Sequence, residues 1–313
     1  MTVANLLQDG TFAAARRSYG WLRDHAALAG AASPHGLSRA IEWMIAAWIC
    51  EQAFDLGADA PLSREGVRQL VLRLDTHERS QAFGELFTCD ALRVTLAHTI
   101  AARHGVACES LTAFVGGLAA SLPQPVEDAT GGDDLFETRL LIALAGLGQM
   151  PRLPCLDKLI DATTLDLLQA DELTIQRIAG QVIAASAYST CELMVSTPLR
   201  QRLIEVLSVW LLDFARGYRL DNVAFVMRSL GCLGESSAVR DAMRFLLAQH
   251  HPSGHFGFFG PEAARAKRLS PTWDEAASLQ LPVTFACLWA LSECSDRSFQ
   301  LLGAAALPLR PGP

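Results

Sequence analysis

The stretch from His250 to Glu275 holds the densest set of side chains able to do chemistry in this sequence. It contains His250, His251, His255, Phe256, Phe258, Phe259, Trp273 and the acidic pair Asp274–Glu275. Imidazole beside carboxylate is what general acid–base catalysis needs, and the same groups hold divalent metals. Gly254 and Gly257 flank His255 and allow backbone angles that turn it inward. We expect His255 and Asp274, with Asp133 from an earlier loop, to be the catalytic candidates. Trp273, Phe258, His35, Asp221 and Tyr218 are the substrate-binding candidates. His255, Trp273 and Asp274 are expected to line a concave pocket with helix starts near His35, Asp133 and Asp221. A mostly apolar wall with a few convergent polar groups suits a small molecule. In the plainer alternative the aromatic residues of this loop fill gaps between helices.

Carboxylates at helix starts also have an ordinary use. They cap free N–H groups and oppose the helix dipole. Asp171, Glu172 and Asp221 read this way. Asp134 and Glu137 have capping-box spacing, the favoured reading; with Asp133 they also resemble the Asp-Asp-x-x-Glu motif with which class I terpene synthases bind magnesium and diphosphate. No Gly-x-Ser-x-Gly, phosphate-binding glycine loop or dinucleotide fingerprint occurs, which argues against kinase, NTPase and NAD chemistry.

Helices must position these residues. Apolar residues recur at three- and four-residue spacing almost throughout, and strand patterns are nearly absent. The spacing predicts helices over 5–27, 36–55, 63–75, 80–104, 108–121, 133–150, 154–168, 172–189, 198–216, 219–234, 236–250 and 277–294. They fall into six pairs. The first member of a pair carries a polar face, as with Arg16, Arg17, Arg23 and Asp24. The second is apolar on most sides, as from Ile41 to Phe54 and from Val283 to Leu291. A helix apolar all round must be covered all round. An inner ring of apolar helices inside an outer amphipathic ring satisfies both patterns. The expected fold is an all-α, single-domain (α/α)6 toroid over residues 1–313, with an open helical solenoid as the alternative. In a ring, the units containing His25 and His255 become neighbours.

One segment carries a family resemblance. Phe245, Leu246 and Gln249 end a helix, Gly254-His-Phe256-Gly257 forms a turn, and Thr284, Leu288, Ala290 and Leu291 begin the next apolar helix. This order resembles the repeat of the terpenoid-cyclase and protein-prenyltransferase superfamily. The resemblance implies the α/α toroid, with the functional cavity at the N-terminal ends of the inner helices. It brings no catalytic residues with it. The Asp-x-Asp-Asp acid motif, the Asp-x-Cys zinc pair and the Cys-His-Gly zinc motif of proteins with this architecture are missing. Fold alone does not define function.

Composition narrows the partners. The 313 residues are 50% hydrophobic, ample for a large core, and the formal charge of −7 argues against binding nucleic acid. The N-terminus lacks the pattern of a signal peptide, and no apolar run is long enough to span a bilayer. A cytoplasmic location is expected. The eight cysteines occur singly, several within apolar helical runs, and are expected to be reduced. Arg-over-Lys usage, with Lys158 and Lys267 the only lysines, suggests a bacterial source. The leading expectation is a tailoring enzyme of specialised metabolism, cyclase- or isomerase-like, acting on an apolar or peptide substrate in the ring. The rival is a non-catalytic binding or partner protein that keeps the ring. No metal or cofactor is assigned.

Overall fold

The structure is a computed structural model that describes residues 3–30, 36–76, 81–106, 108–121, 136–160, 170–258 and 275–295. Among the described residues it is all-α, with thirteen helices and no strand. They are α1 (Val3–Asp24), α2 (Ala27–Gly30), α3 (Gly36–Phe54), α4 (Leu62–Thr76), α5 (Gln81–Arg103), α6 (Glu109–Ser121), α7 (Phe136–Leu144), α8 (Leu156–Leu159), α9 (Glu172–Ala185), α10 (Thr197–Arg216), α11 (Leu220–Cys232), α12 (Ser237–Ala248) and α13 (Glu275–Ser295). Apart from the short α2, each corresponds to a segment with helical spacing.

The two kinds of helix are physically distinct. In α3 every residue from Ala40 to Glu51 is buried, because apolar side chains occupy all sides of the helix. In α12, Val239, Ala242, Met243 and Leu246 form a buried stripe, while Arg240, Asp241 and Arg244 face water. α1 behaves alike: Ala14, Ala15, Ser18, Trp21 and Leu22 are buried, and Arg16, Arg17 and Arg23 are exposed. The more apolar helices pack on one another, α3 against α5 and α13, and α11 against α9 and α13. α5 also contacts α7. The α7 and α9 regions are joined by Tyr188, whose hydroxyl donates to Glu137.

The two ends of the described chain meet. α13 packs on both α1 and α3. The Ser18 hydroxyl on α1 donates to the Gly254 carbonyl at 2.6 Å. Trp21 lies edge-on to His255, with ring centroids 6.2 Å apart.

Two helices stop early. α7 ends at Leu144 in a turn where the Leu147 N–H donates to the Ile142 carbonyl. α9 ends at Ala185, and Ala187, Tyr188 and Ser189 then take positive φ angles of 47°, 55° and 69°. Asp171 caps α9 as its position suggests, its side chain accepting from the Thr174 N–H at 2.7 Å. Among the described residues no helix is long and apolar enough to cross a membrane.

Candidate functional site

Of the residues expected to carry chemistry, His35, Asp133, Trp273 and Asp274 lie outside the described residues. Asp221 sits exposed in the first turn of α11. Tyr218 is exposed, at φ 53°, with its ring 6.2 Å from Phe245. Phe258 is 79% exposed.

His255 is buried within an aromatic stack. Its ring lies parallel to His251 at 4.6 Å and edge-on to Trp21, which stacks on His25 at 4.7 Å. Its Nε2 is 3.2 Å from Gln280 Nε2, and its Nδ1 has no hydrogen-bond partner among the described residues. Burial holds the His255 ring below its ordinary pKa. His250 is fixed more tightly. Arg17 Nη2 approaches its Nδ1 at 3.1 Å, and Ser18 Oγ and the Gly254 carbonyl lie 3.2 Å from its Nε2. Burial, then the neighbouring guanidinium, push its pKa down to about 4.

The surrounding turn is clamped to Gln249 and Thr284. The Gly257 N–H donates to the Gln249 carbonyl at 3.2 Å, and the Phe256 N–H donates to the Thr284 hydroxyl at 3.1 Å. Phe256 is fully buried. These contacts join α12 to α13.

A second polar cluster ties α3 to α4. The Glu51 carboxylate accepts from the Ser63 N–H at 2.9 Å, from the Ser63 hydroxyl and from the Tyr19 hydroxyl at 3.0 Å. Ser63 Oγ also lies 2.6 Å from His104 Nε2. Serine, histidine and glutamate together suggest a nucleophile, but Ser63 is fully buried and its hydroxyl contacts the carboxylate directly. The cluster anchors the start of α4. Burial raises the Glu51 pKa despite the donors around it.

The most telling geometry lies at the opposite helix ends, where α9, α11 and α13 finish and α12 begins. A cleft of about 310 Å³ opens there. Arg228 is buried in its wall, with Nε donating to Glu293 Oε2 at 2.7 Å. Glu293 is held from its other oxygen by the Trp289 indole N–H at 2.7 Å. The Arg228 guanidinium lies 3.8 Å above the Trp289 ring, a close cation–π contact. Arg228 Nη2 is buried and has no hydrogen-bond partner among the described residues. An unmatched buried donor costs about 1–3 kcal/mol, more on a charged group.

The turn with three positive φ angles forms another wall. Strained backbone of this kind clusters at functional sites. It is fixed by Ser189 N–H to Ser186 Oγ at 2.9 Å and Cys191 N–H to the Ser186 carbonyl at 2.9 Å. It sets Ser189 Oγ 3.1 Å from Cys232 Sγ, which also accepts from Ser186 Oγ at 3.4 Å. Burial pushes the Cys232 thiol up, so it stays protonated at neutral pH. Val239 and Met243 supply the apolar side of the cleft.

A larger hollow of about 540 Å³ lies between α8 and the start of α10. The carboxylate there is already engaged: Asp157 accepts from Ser196 N at 2.8 Å and Ser196 Oγ at 2.5 Å. Among the described residues no three His, Cys, Asp or Glu side chains gather so that they could hold a metal ion.

Sequence reasoning passed over Arg228 and Glu293. A detectable signal was present: each is a charge inside a helical run whose other positions are almost all apolar or small, Val223–Leu233 and Val283–Cys294. No protein-family model, curated protein or solved structure matches the chain.

Proposed function

We propose that this chain is an α/α-toroid protein that binds a small apolar ligand in the cleft at the ends of α9, α11 and α13. Two observations support the toroid: α13 packs on both α3 and α11, and His255 lies beside Trp21. The observation that carries the binding reading is Arg228. Its guanidinium is removed from water at the wall of a cleft, with one nitrogen left without an acceptor among the described residues. A ligand atom able to accept a hydrogen bond would complete it. Of the two functions expected from the sequence, this is the binding reading. Cys232 is held as a neutral thiol, and Glu293 is fully engaged by Arg228 and Trp289. Neither is prepared to transfer a proton or attack a substrate.

The test blocks the cleft at its rim. Ser236 is exposed there and makes no capping bond to α12, so Ser236→Trp should leave the circular dichroism spectrum unchanged. A set of uncharged aromatic fragments, observed by saturation-transfer NMR, should include several that bind the wild-type protein and lose their signal with the variant. If every fragment that binds gives equal signal with both proteins, the cleft is not the site.

A further inference from the structure

The charges lining the cleft indicate which polar group its ligand carries. Among the described residues, two basic and two acidic side chains line it: Arg228, Arg240, Glu235 and Glu293. Two positive and two negative charges leave it neutral. The acidic members are already matched. Glu293 is fixed by Arg228 and Trp289, and Glu235 accepts from the Ser237 and Ala238 N–H groups at 2.6 and 3.1 Å, closing the start of α12. Arg240 is exposed at the rim, with Nε on the Ser236 carbonyl at 3.2 Å. Among the described residues that line it, Arg228 alone carries a buried side-chain donor, Nη2, with no partner.

That donor belongs to an ion pair whose charge is already compensated. A carboxylate or phosphate beside Arg228 would add a net negative charge next to buried Glu293, in a setting where desolvating a charge is expensive. A neutral acceptor would gain the hydrogen bond without that charge. The free valence of Arg228 is therefore a hydrogen-bonding need rather than an electrostatic one.

Resting on the binding reading above, we infer that the ligand is an apolar molecule bearing an uncharged carbonyl group — an amide, ester or ketone — whose oxygen accepts from Arg228 Nη2. Val239 and Met243 take its apolar part, and the Ser186–Cys191 turn shapes the far wall. No covalent step is involved.

A matched pair of probes tests this: 4-phenylbutanamide and 4-phenylbutanoate, titrated calorimetrically at pH 7.5. The wild-type protein should bind the amide at least about tenfold more tightly than the carboxylate. Glu293→Gln leaves the Arg228 charge uncompensated, so the preference should reverse by a similar factor, with the fold checked by circular dichroism. The wild-type comparison stands alone if the variant fails to fold. Carboxylate binding as tight as amide binding in the wild type overturns the neutral-ligand inference while leaving the cleft as the site. Binding of neither probe, with the fragment screen also blank, removes the cleft itself. Amide preference that survives Glu293→Gln unchanged shows that Arg228 does not set it, and overturns the inference.

Discussion

Gly254→Ala should be among the most damaging single-methyl additions to this protein, and its cost can be worked from geometry. Gly254 has φ +107°, outside the left-handed helical well that asparagine and aspartate sometimes visit. A β-carbon there would lie 2.4 Å from the Arg17 carbonyl oxygen, 2.7 Å from Trp21 Cβ and 2.9 Å from the Arg17 carbonyl carbon. These distances are about 1 Å inside ordinary contact. The obstructing atoms belong to α1, whose Ala14, Ala15 and Leu22 are locked into the core, so the helix cannot retreat. Backbone strain contributes about 1–2 kcal/mol and overlap about 1–3 kcal/mol. Displacing the Ser18–Gly254 hydrogen bond adds about 1 kcal/mol. A total near 4 kcal/mol corresponds to roughly 6 °C in Tm for a chain of this size. Gly105→Ala is the control. Gly105 has φ +63° with nothing within 4 Å of the added carbon, so it carries strain without overlap. It should lose about 1 kcal/mol, or roughly 2 °C. Thermal melts followed by circular dichroism compare the two. If Gly254→Ala melts within about 2 °C of Gly105→Ala, the close approach of α1 to the turn is wrong.

Two further outcomes follow from buried titrating groups. Burial raises the Glu51 pKa above its unfolded value, so its contribution to stability is full at acid pH and is lost as pH rises through the folded pKa. Glu51→Gln should therefore gain stability relative to wild type between pH 4 and pH 7 in thermal melts; a relative loss contradicts the burial. His250 has the opposite sign. With its pKa near 4, it contributes stability above the unfolded value, lost as pH falls from about 6.5 toward 4. Its imidazole C2–H resonance should stay fixed from pH 8 to pH 5.5, and a midpoint near 6.5 would show that Arg17 and burial do not act on it.

Helix type and order were legible because periodicity records burial directly. An all-apolar run such as Ile41–Cys50 has no stable exposed face, and an Arg-striped helix such as α12 has only one face to bury. The early end of α9 was not legible. Ala187, Tyr188 and Ser189 carry no glycine or proline to mark a break, and their positive φ angles are held by tertiary bonds such as Tyr188 to Glu137. The expected site residues were chosen because they lie in loops at the starts of the all-apolar helices. That choice favours exposed His and Asp, whereas His255 is buried and packs edge-on to Trp21 near the end of α1. It was blind to a charge inside an apolar helix, because periodicity treats Arg228 and Glu293 as interruptions of a pattern rather than as partners.

Energetics gives that pair its significance. Replacing a buried ion pair by well-packed apolar residues is often neutral or stabilising by about 1–4 kcal/mol, whereas removing one partner costs about 3–5 kcal/mol. Arg228 and Glu293 are therefore not the most stable way to fill that part of the core. The adjoining turn makes a second sacrifice, since three successive residues with positive φ cost about 1–2 kcal/mol each against glycine or a regular helix end. Elsewhere among the described residues, positive φ at non-glycine positions occurs singly, at Asp55 and Tyr218. Both departures from maximal stability meet at one cleft, and Arg228, whose Nη2 has no partner among the described residues, is one of its lining residues. A core optimised only for packing would have neither. Their coincidence is what the proposed ligand site predicts, because a bound acceptor would return to Arg228 the hydrogen bond left unmade among the described residues.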